Sequence, residues 1–456
     1  MNRLVQFERV DDFSLGTQGL NRAGSIEKKL NIQIWNDCVS RLALSKEVSS
    51  SRPARRLTLF FIATAGTFTA YATVLGAIQL STLSGIPVNI GAYFQAHPYL
   101  QIFGFLSEFV MGVGYSLLPL FKSRQMPHLE LGYLAYVSIT VANVLLAISS
   151  FNPAAYAVLA KIASILILVS SILFATQALD LLRRPSNFLA EAEPFMILSV
   201  VSFLILSLYF VESSLVNEDV FSIYFLYLSL LGFVGSMIFG VMLRTIAFRL
   251  TTYRKRLATF TFLFQAVAVA LISISATVQI NYLAGASAIF FLGSSISMIF
   301  TARIFEKSRK LLPFGAKAAM PNRIQAYTDA AEISGSIWLV LGCILGMALV
   351  AVPSFLLRDL FIHVIAIGFI GSIIIGYAPV LLPGVLTSKG PREKLSLWPL
   401  GFLDAGLVFR LAGNTYAKVN SSGLPIWESI SGILIILSMI SFGYLLHSRR
   451  SNEDLR

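Results

Sequence analysis

Long apolar stretches separated by short polar breaks dominate this chain. Twelve of them reach or approach the ~20 residues that a membrane-spanning helix needs. Their approximate limits are 57–80, 94–121, 131–151, 154–177, 194–212, 220–243, 257–278, 282–304, 331–353, 361–384, 396–413 and 426–447. The eleventh is the least regular, because Asp404 and Arg410 interrupt it. The pattern predicts an all-α polytopic membrane protein with about 12 transmembrane helices in one bundle.

The composition excludes the three soluble domains that a length of 456 residues would otherwise suggest. Hydrophobic residues make up 56 % of the chain, charged residues 13 %, and the mean hydropathy is +0.75. Soluble domains carry about 25 % charged residues. The two cysteines, Cys38 in a polar leader and Cys343 in a span, exclude a disulfide scaffold. The lipid bilayer is therefore the first predicted partner.

The lysines and arginines test the number of spans, because cytoplasmic loops hold most of these residues in membrane proteins. If residues 1–56 are cytoplasmic, the inner segments hold 31 of the 35 basic residues. The other four are Lys161, Arg358, Arg410 and Lys418. This predicts a multi-pass protein of the cell membrane with a cytoplasmic N-terminus and C-terminus. The net charge of +12 then reflects membrane orientation and predicts no nucleic-acid partner.

The predicted domain organisation has three parts: a cytoplasmic leader at 1–56, the bundle at 57–447 and a cytoplasmic tail at 448–456. The leader has no apolar region of the kind found in signal peptides. Its amphipathic stretch at 32–42 predicts either a helix on the inner membrane surface or a weakly ordered segment without a function. The loop 305–330 is the longest inner connection and predicts a linker between sub-bundles.

One motif recurs in the second, sixth and tenth spans. It reads GFLSEFVMG at 104–112, GFVGSMIFG at 232–240 and GFIGSIIIG at 368–376. Glycines let helix backbones approach closely in lipid, and generic helix packing is the simplest interpretation of these glycines. Their equal spacing, four helices apart, predicts three pseudo-repeated four-helix units.

Two of the four histidines are candidates for a heme site. His97 and His363 open the second and tenth spans, and both are predicted near the outer face at similar depth. A bis-histidine heme needs one imidazole on each side of its iron, whereas an interfacial hydrogen bond is the alternative role. His97 precedes its repeat glycine by seven residues and His363 by five, a difference of about 200° around an α-helix. The repeat alone therefore does not direct them to one iron.

The helices that carry these histidines read HPYLQIFGFLSEFVMGVGYSLLPLF (97–121) and HVIAIGFIGSIIIGYAPVLLP (363–383). They resemble subunit I of the heme-copper oxidase superfamily and its NnrS relatives. In that family a histidine at the start of the second helix and the second histidine of a His-x-His motif on the tenth bind the low-spin heme. The resemblance implies one bis-histidine heme b, with its iron held by His97 and His363.

The same resemblance shows what this chain lacks. Phe361 stands where the family has its high-spin heme ligand. The span 220–243 contains no histidine for copper, no His-His pair occurs in the seventh span, and the additional histidines of NnrS proteins are missing. This implies no copper and no binuclear centre. The remaining six-coordinate iron would carry electrons, because it has no open position for oxygen.

Two acidic residues inside the bundle are candidates for a proton path. Glu108 lies eleven residues after His97, which on an α-helix puts both on one face. A carboxyl group in the membrane marks either such a path or a protonated, hydrogen-bonded helix contact. Asp404 is the second candidate, and it could pair with Lys161 or, if the helix bends, with Arg410.

Cations on the outer side are candidates for binding heme propionates. The basic residues predicted on the outer side near the last spans are Arg358, Arg410 and Lys418, of which Arg358 and Arg410 are the candidates. The resemblance favours Arg410, because the oxidases hold the propionates with arginines after the eleventh helix. Snorkelling of Arg410 to the interface is the alternative. Asp359 precedes His363 by four residues, so it either orients the imidazole or is a plain first-turn acid.

These features predict a heme b electron-transfer subunit without independent catalysis, which takes electrons from an outer-face carrier or partner subunit. One alternative is a heme-free scaffold or assembly subunit of a respiratory complex. Another is a proton or solute transporter that uses Glu108 and Asp404, although no span shows the paired broken helices of many transporters. An active oxygen or nitric oxide reductase is the least favoured, because the metal ligands are missing.

Overall fold

Twelve long helices form the bundle in the computed structural model, which describes residues 52–86, 95–122, 124–184, 191–216, 221–249, 254–306, 322–386, 396–420 and 424–447. They are α1 (Arg52–Leu83), α2 (Ala96–Lys122), α3 (Leu129–Ser149), α4 (Ala157–Leu182), α5 (Glu193–Val216), α6 (Ile223–Leu226, Tyr227–Gly235 and Ser236–Arg249), α7 (Lys255–Val278), α8 (Asn281–Ala302), α9 (Asn322–Ala351), α10 (Phe355–His363, Val364–Gly371 and Ser372–Leu386), α11 (Trp398–Asn420) and α12 (Ser429–His447). The described residues contain no strand.

The predicted fold class is confirmed. Eleven of the described helices are long and apolar enough to cross a membrane, and α11, with its internal charges, is the remaining long helix. The tail and almost all of the leader, including the stretch at 32–42, lie outside the described residues. The linker predicted at 305–330 extends too far, because α9 already begins at Asn322.

The helices form a closed ring around three inner helices. Neighbours in the chain pack against each other, and α12 returns to pack against α1. The helices α2, α6 and α10 lie inside, with 78 %, 89 % and 67 % of their apolar windows buried, against 28–50 % for the other spans. These three carry the repeated motif, so the predicted three-fold arrangement has a physical basis.

The repeat glycines bring each inner helix against the outer helix that precedes it. A Cβ at any of them would collide with, or touch, a side chain of that outer helix. The pairs are Gly104 with Phe68, Gly112 with Phe61, Gly232 with Ser202, Gly240 with Met196, Gly368 with Trp338 and Gly376 with Ala331. The motif therefore marks three equivalent helix pairs, α1–α2, α5–α6 and α9–α10.

Each inner helix also contains a π-helical segment at the same place in the motif. The segments are Leu100–Ser107, Tyr227–Gly235 and Val364–Gly371. A π-helix has i→i+5 hydrogen bonds, so it turns less per residue than an α-helix and rotates the residues after it relative to those before it. Side chains of neighbouring helices bind its carbonyls in α6: Ser199 donates to Phe233 O at 2.7 Å and Gln265 donates to Leu231 O at 2.8 Å.

Candidate functional site

His97 and His363 lie side by side inside the bundle. His97 is in the first turn of α2, and His363 is the last residue before the π-helical segment of α10. Their imidazole planes are 8° from parallel, and their ring centroids are 6.2 Å apart. The two residues occupy different positions in the repeat. Their side chains nevertheless lie next to each other, one from α2 and one from α10.

This spacing is the one that two imidazoles adopt around a metal. An imidazole nitrogen binds a metal at about 2 Å, and the ring centroid lies about 1.2 Å behind that nitrogen. Two imidazoles on opposite sides of one metal therefore have centroids about 6.3 Å apart. The separation of His97 and His363 agrees with this value.

Each histidine is held through its own Nδ1 atom, which contacts a backbone carbonyl oxygen. The Nδ1 atom of His97 lies 2.7 Å from Ala72 O, and the Nδ1 atom of His363 lies 2.8 Å from Asp359 O. A carbonyl oxygen only accepts hydrogen bonds, so each Nδ1 carries the proton and donates. Each Nε2 then keeps its lone pair, which is the tautomer that a metal ligand needs.

Gly76 of α1 makes room for the His97 ring. A Cβ at this position would lie 2.5 Å from Cε1 and 2.7 Å from Nδ1 of His97. Ala72, which accepts the hydrogen bond from His97, is one turn earlier on the same helix. One face of α1 therefore fixes both the position and the tautomer of His97.

The carboxylate of Asp359 connects His363 to an ion pair. Its Oδ1 lies 3.3 Å from His363 Nδ1. Arg410 donates to both of its oxygens, from Nη2 at 2.6 Å and from Nε at 2.9 Å, and Asn414 donates to it at 3.1 Å. The side chains of Asp359, Arg410 and His363 are only 15 %, 13 % and 14 % exposed. This position agrees with the prediction that Asp359 orients the imidazole.

Arg410 is therefore part of a buried, bidentate ion pair and does not snorkel to an interface. Asn414 also donates to Glu428 Oε1 at 3.0 Å, which connects α12 to the same group of polar side chains. Arg358, the other predicted propionate-binding residue, directly precedes Asp359 and is half-buried. The sequence analysis missed Gly76, Asn414 and Glu428, since no local pattern marks a residue whose partner lies on a distant helix.

An open strip runs down α2 from His97. Within this mostly buried helix, His97, Gln101, Phe105 and Phe109 recur one turn apart and are all half-buried. Below them, an apolar cavity lies between α1 and the three inner helices, lined in part by Phe109 and by Ile374 of α10. This half-buried strip of α2 therefore leads from His97 to the cavity at Phe109.

Aromatic side chains fill the interior next to this site. Phe361 is fully buried and stacks on Tyr227 of α6, with ring centroids 5.0 Å apart. Tyr227 in turn packs on Phe291 of α8 at 5.6 Å. Cys343, also buried, lies 3.4 Å from Ser295. Among the described residues, no three His, Cys, Asp or Glu side chains come together in a group that could hold a metal ion.

Glu108 lies in a closed set of hydrogen bonds. Its carboxyl group is fully buried and accepts from Thr64 of α1 and, in α3, from Thr140 at 3.3 Å and Asn143 at 2.9 Å. The expectation that Glu108 shares a face with His97 was based on an α-helical register. The π-helical segment between them invalidates that calculation.

Asp404 pairs with neither of the two predicted cations. Its Oδ1 accepts from Ser334 at 2.7 Å and from Trp338 Nε1 at 2.8 Å, both in α9. The predicted pairing with Lys161 or Arg410 is wrong, because Arg410 binds Asp359 and the Asp404 side chain faces α9. The two remaining histidines lie away from this site: His128 is 70 % exposed, and His447 ends α12.

Comparisons with known proteins agree with this fold. A family model described as a domain of unknown function (DUF8744) matches residues 56–446. No match was found among curated proteins. Among solved structures, a chain of a heme-copper terminal oxidase dimer determined by cryo-EM is similar, with a TM-score of 0.65 and 12 % identity over 87 % of this chain and 84 % of that chain. At this identity the likeness shows the subunit I-like fold alone.

Proposed function

The chain belongs to the DUF8744 family, and we propose that it is a membrane electron carrier that binds one heme b between His97 and His363. The observation that carries this proposal is the geometry of the two rings, which are parallel with centroids 6.2 Å apart. Both Nδ1 atoms donate to backbone carbonyls, so both Nε2 atoms are available as ligands.

The residues around the pair have separate roles in this proposal. Ala72 O and Asp359 O hold the two imidazoles, and Gly76 leaves space for one of them. Arg410 and Arg358 are the proposed cations for the propionates, and the guanidinium of Arg410 also binds Asp359. A six-coordinate heme supplies one-electron transfer without an open ligand position.

The aromatic packing supports a carrier over an oxidase. Phe361, which the resemblance puts at the position of the family's high-spin heme ligand, stacks on Tyr227 of α6, and neither side chain is a histidine. We therefore propose no copper and no binuclear centre. A closer relation to NnrS proteins stays a prediction from the sequence.

The location of the histidines supports electron exchange at the outer face. His97 lies in the first turn of α2 and His363 ends the first segment of α10, both toward the end of the bundle opposite to the start of α1, and the basic residues predict that end to be outside. We propose that an outer-face carrier or partner subunit exchanges electrons with this site. The membrane would be the cell membrane, with both termini in the cytoplasm.

Absorption spectroscopy tests the proposal. The detergent-purified protein is expected to contain one heme b per chain and to develop a sharp α band on reduction with dithionite. His97→Ala and His363→Ala are expected to abolish this band, whereas His128→Ala and His447→Ala, which remove the other two histidines, are expected to keep it. A heme-free scaffold predicts no band in any of the five proteins, and that result would reject the carrier.

Electron paramagnetic resonance adds a test of geometry. Two parallel imidazole planes act on the same iron d orbital, so the oxidised protein is expected to give a rhombic low-spin signal. A strongly anisotropic signal, as produced by perpendicular planes, would contradict the 8° angle between the rings of His97 and His363.

A further inference from the structure

The two histidines of the site have different electrostatic surroundings. His97 donates to Ala72 O, a neutral carbonyl. His363 donates to Asp359 O, and its Nδ1 is also 3.3 Å from the carboxylate oxygen of the same residue. Only His363 therefore has an ionisable group directly behind its ring.

The carboxylate behind His363 is fixed by partners from another helix. Arg410 binds both oxygens of Asp359 in the planar, bidentate arrangement that is typical of strong arginine–carboxylate pairs. Asn414, one turn after Arg410 in α11, donates to the same carboxylate at 3.1 Å. These three contacts leave Asp359 little freedom to rotate away from the imidazole.

The charges of this group nearly cancel. Asp359 and Arg410 form a buried pair, and Asn414 connects it to Glu428, whose carboxyl group also interacts electrostatically with Arg410 and Asp359. Arg358 precedes Asp359 in the chain and is half-buried. Removing one member of the pair would leave a single charge beside His363 in a medium of low dielectric constant, where its field is weakly screened.

We propose that Asp359, clamped by Arg410, is a positioning residue that sets the reduction potential of the heme through His363. This rests on the proposed function of the histidine pair. A charge beside an axial ligand changes the relative stability of ferric and ferrous iron, and hydrogen bonding behind the ring changes the basicity of the ligand.

Replacing Asp359 and replacing Arg410 are expected to shift the midpoint potential of the heme in opposite directions. Asp359→Asn removes one negative charge beside His363, which disfavours the additional positive charge of ferric heme and shifts the midpoint potential upward. Arg410→Gln leaves the Asp359 carboxylate uncompensated and shifts the potential downward. The double variant Asp359→Asn/Arg410→Gln removes both charges and is expected to return toward the wild-type value.

Redox titration of the purified variants, followed at the α band, is the experiment. Heme content is measured on the same samples, and it is expected to survive in Asp359→Asn because the contact from His363 Nδ1 to the backbone oxygen remains. Asp404→Asn is the matched control, since Asp404 is also in α11 but accepts from Ser334 and Trp338 of α9. Its potential is expected to equal that of the wild type.

The outcomes separate this inference from the proposed function. Opposite shifts in the two single variants, with recovery in the double variant, support it. Full heme content with unchanged potentials, or shifts of the same sign in both single variants, would overturn it and leave the carrier intact. A wild-type protein without heme would overturn both.

Discussion

Gly76 packs against the imidazole of His97 so closely that a Cβ there would lie 2.5 Å from Cε1. The Nδ1 atom of the same ring donates to Ala72 O, one turn away. The ring consequently has no room to tilt away from an added methyl group while it keeps this hydrogen bond. The proposed heme site therefore depends on a residue of α1 that binds nothing itself.

Gly76→Ala is expected to displace His97 and to lower the heme content of the purified protein severalfold, because a ligand moved by about 1 Å no longer meets the iron correctly. The measurement is heme per chain from the absorption spectrum. Gly66→Ala is the matched control, since a Cβ at Gly66 in the same helix meets nothing within 4 Å. Full occupancy in Gly76→Ala would show that His97 is not held against α1.

Replacing Glu108 distinguishes a structural hydrogen-bond acceptor from a proton path. Glu108→Leu is expected to lower stability by about 1–3 kcal/mol per stranded donor, because Thr64, Thr140 and Asn143 lose their acceptor. Glu108→Gln keeps a carbonyl oxygen in place and is expected to unfold close to the wild-type temperature. Thermal unfolding in detergent measures both.

The heme spectrum should be the same in both Glu108 variants, since this carboxyl group faces α1 and α3 and not His363. Proteoliposomes provide the opposing test. Proton uptake that is present in the wild type and disappears in Glu108→Gln would establish a transport role and contradict the purely structural one.

Two glycines of the bundle, one in the repeated motif and one outside it, predict substitutions of opposite effect. A Cβ at Gly112 would lie 2.6 Å from Phe61 Cβ, so Gly112→Ala is expected to cost about 1–3 kcal/mol by overpacking α1 against α2. Gly443→Ala in α12 meets nothing within 4 Å and is expected to gain up to about 1 kcal/mol, because alanine is the better helix former. Equal unfolding temperatures for the two variants would contradict the close approach of α1 and α2.

The sequence was sufficient to predict the bundle, because crossing a bilayer leaves a strong local pattern. All twelve predicted spans correspond to helices, including α11 with its internal charges. The Gly-Phe motif correctly identified α2, α6 and α10 as equivalent, since the close approach of backbones requires glycine at fixed positions. The linker before α9 was predicted too long, because its polar residues from Asn322 onward are already helical.

The site could be predicted only in part. The similar depth of His97 and His363 is implied by their positions in two helices, but their contact depends on how those helices are rotated. The π-helical segments change that rotation and leave no signature in hydropathy, so α-helical counting does not apply between His97 and Glu108, although both residues contact α1. The partners of Asp404 and Arg410 also depend on tertiary packing, and sequence spacing alone could not identify them.

The stacked rings of Phe361 and Tyr227 bear on membrane energetics. If the proposed carrier holds only the heme between His97 and His363, an arriving electron has no second acceptor deeper in the described part of the bundle. It would depart through the face by which it entered, so no charge would traverse the bilayer. Turnover would then be indifferent to voltage, and the chain would serve as a junction between outer-face proteins rather than as a pump.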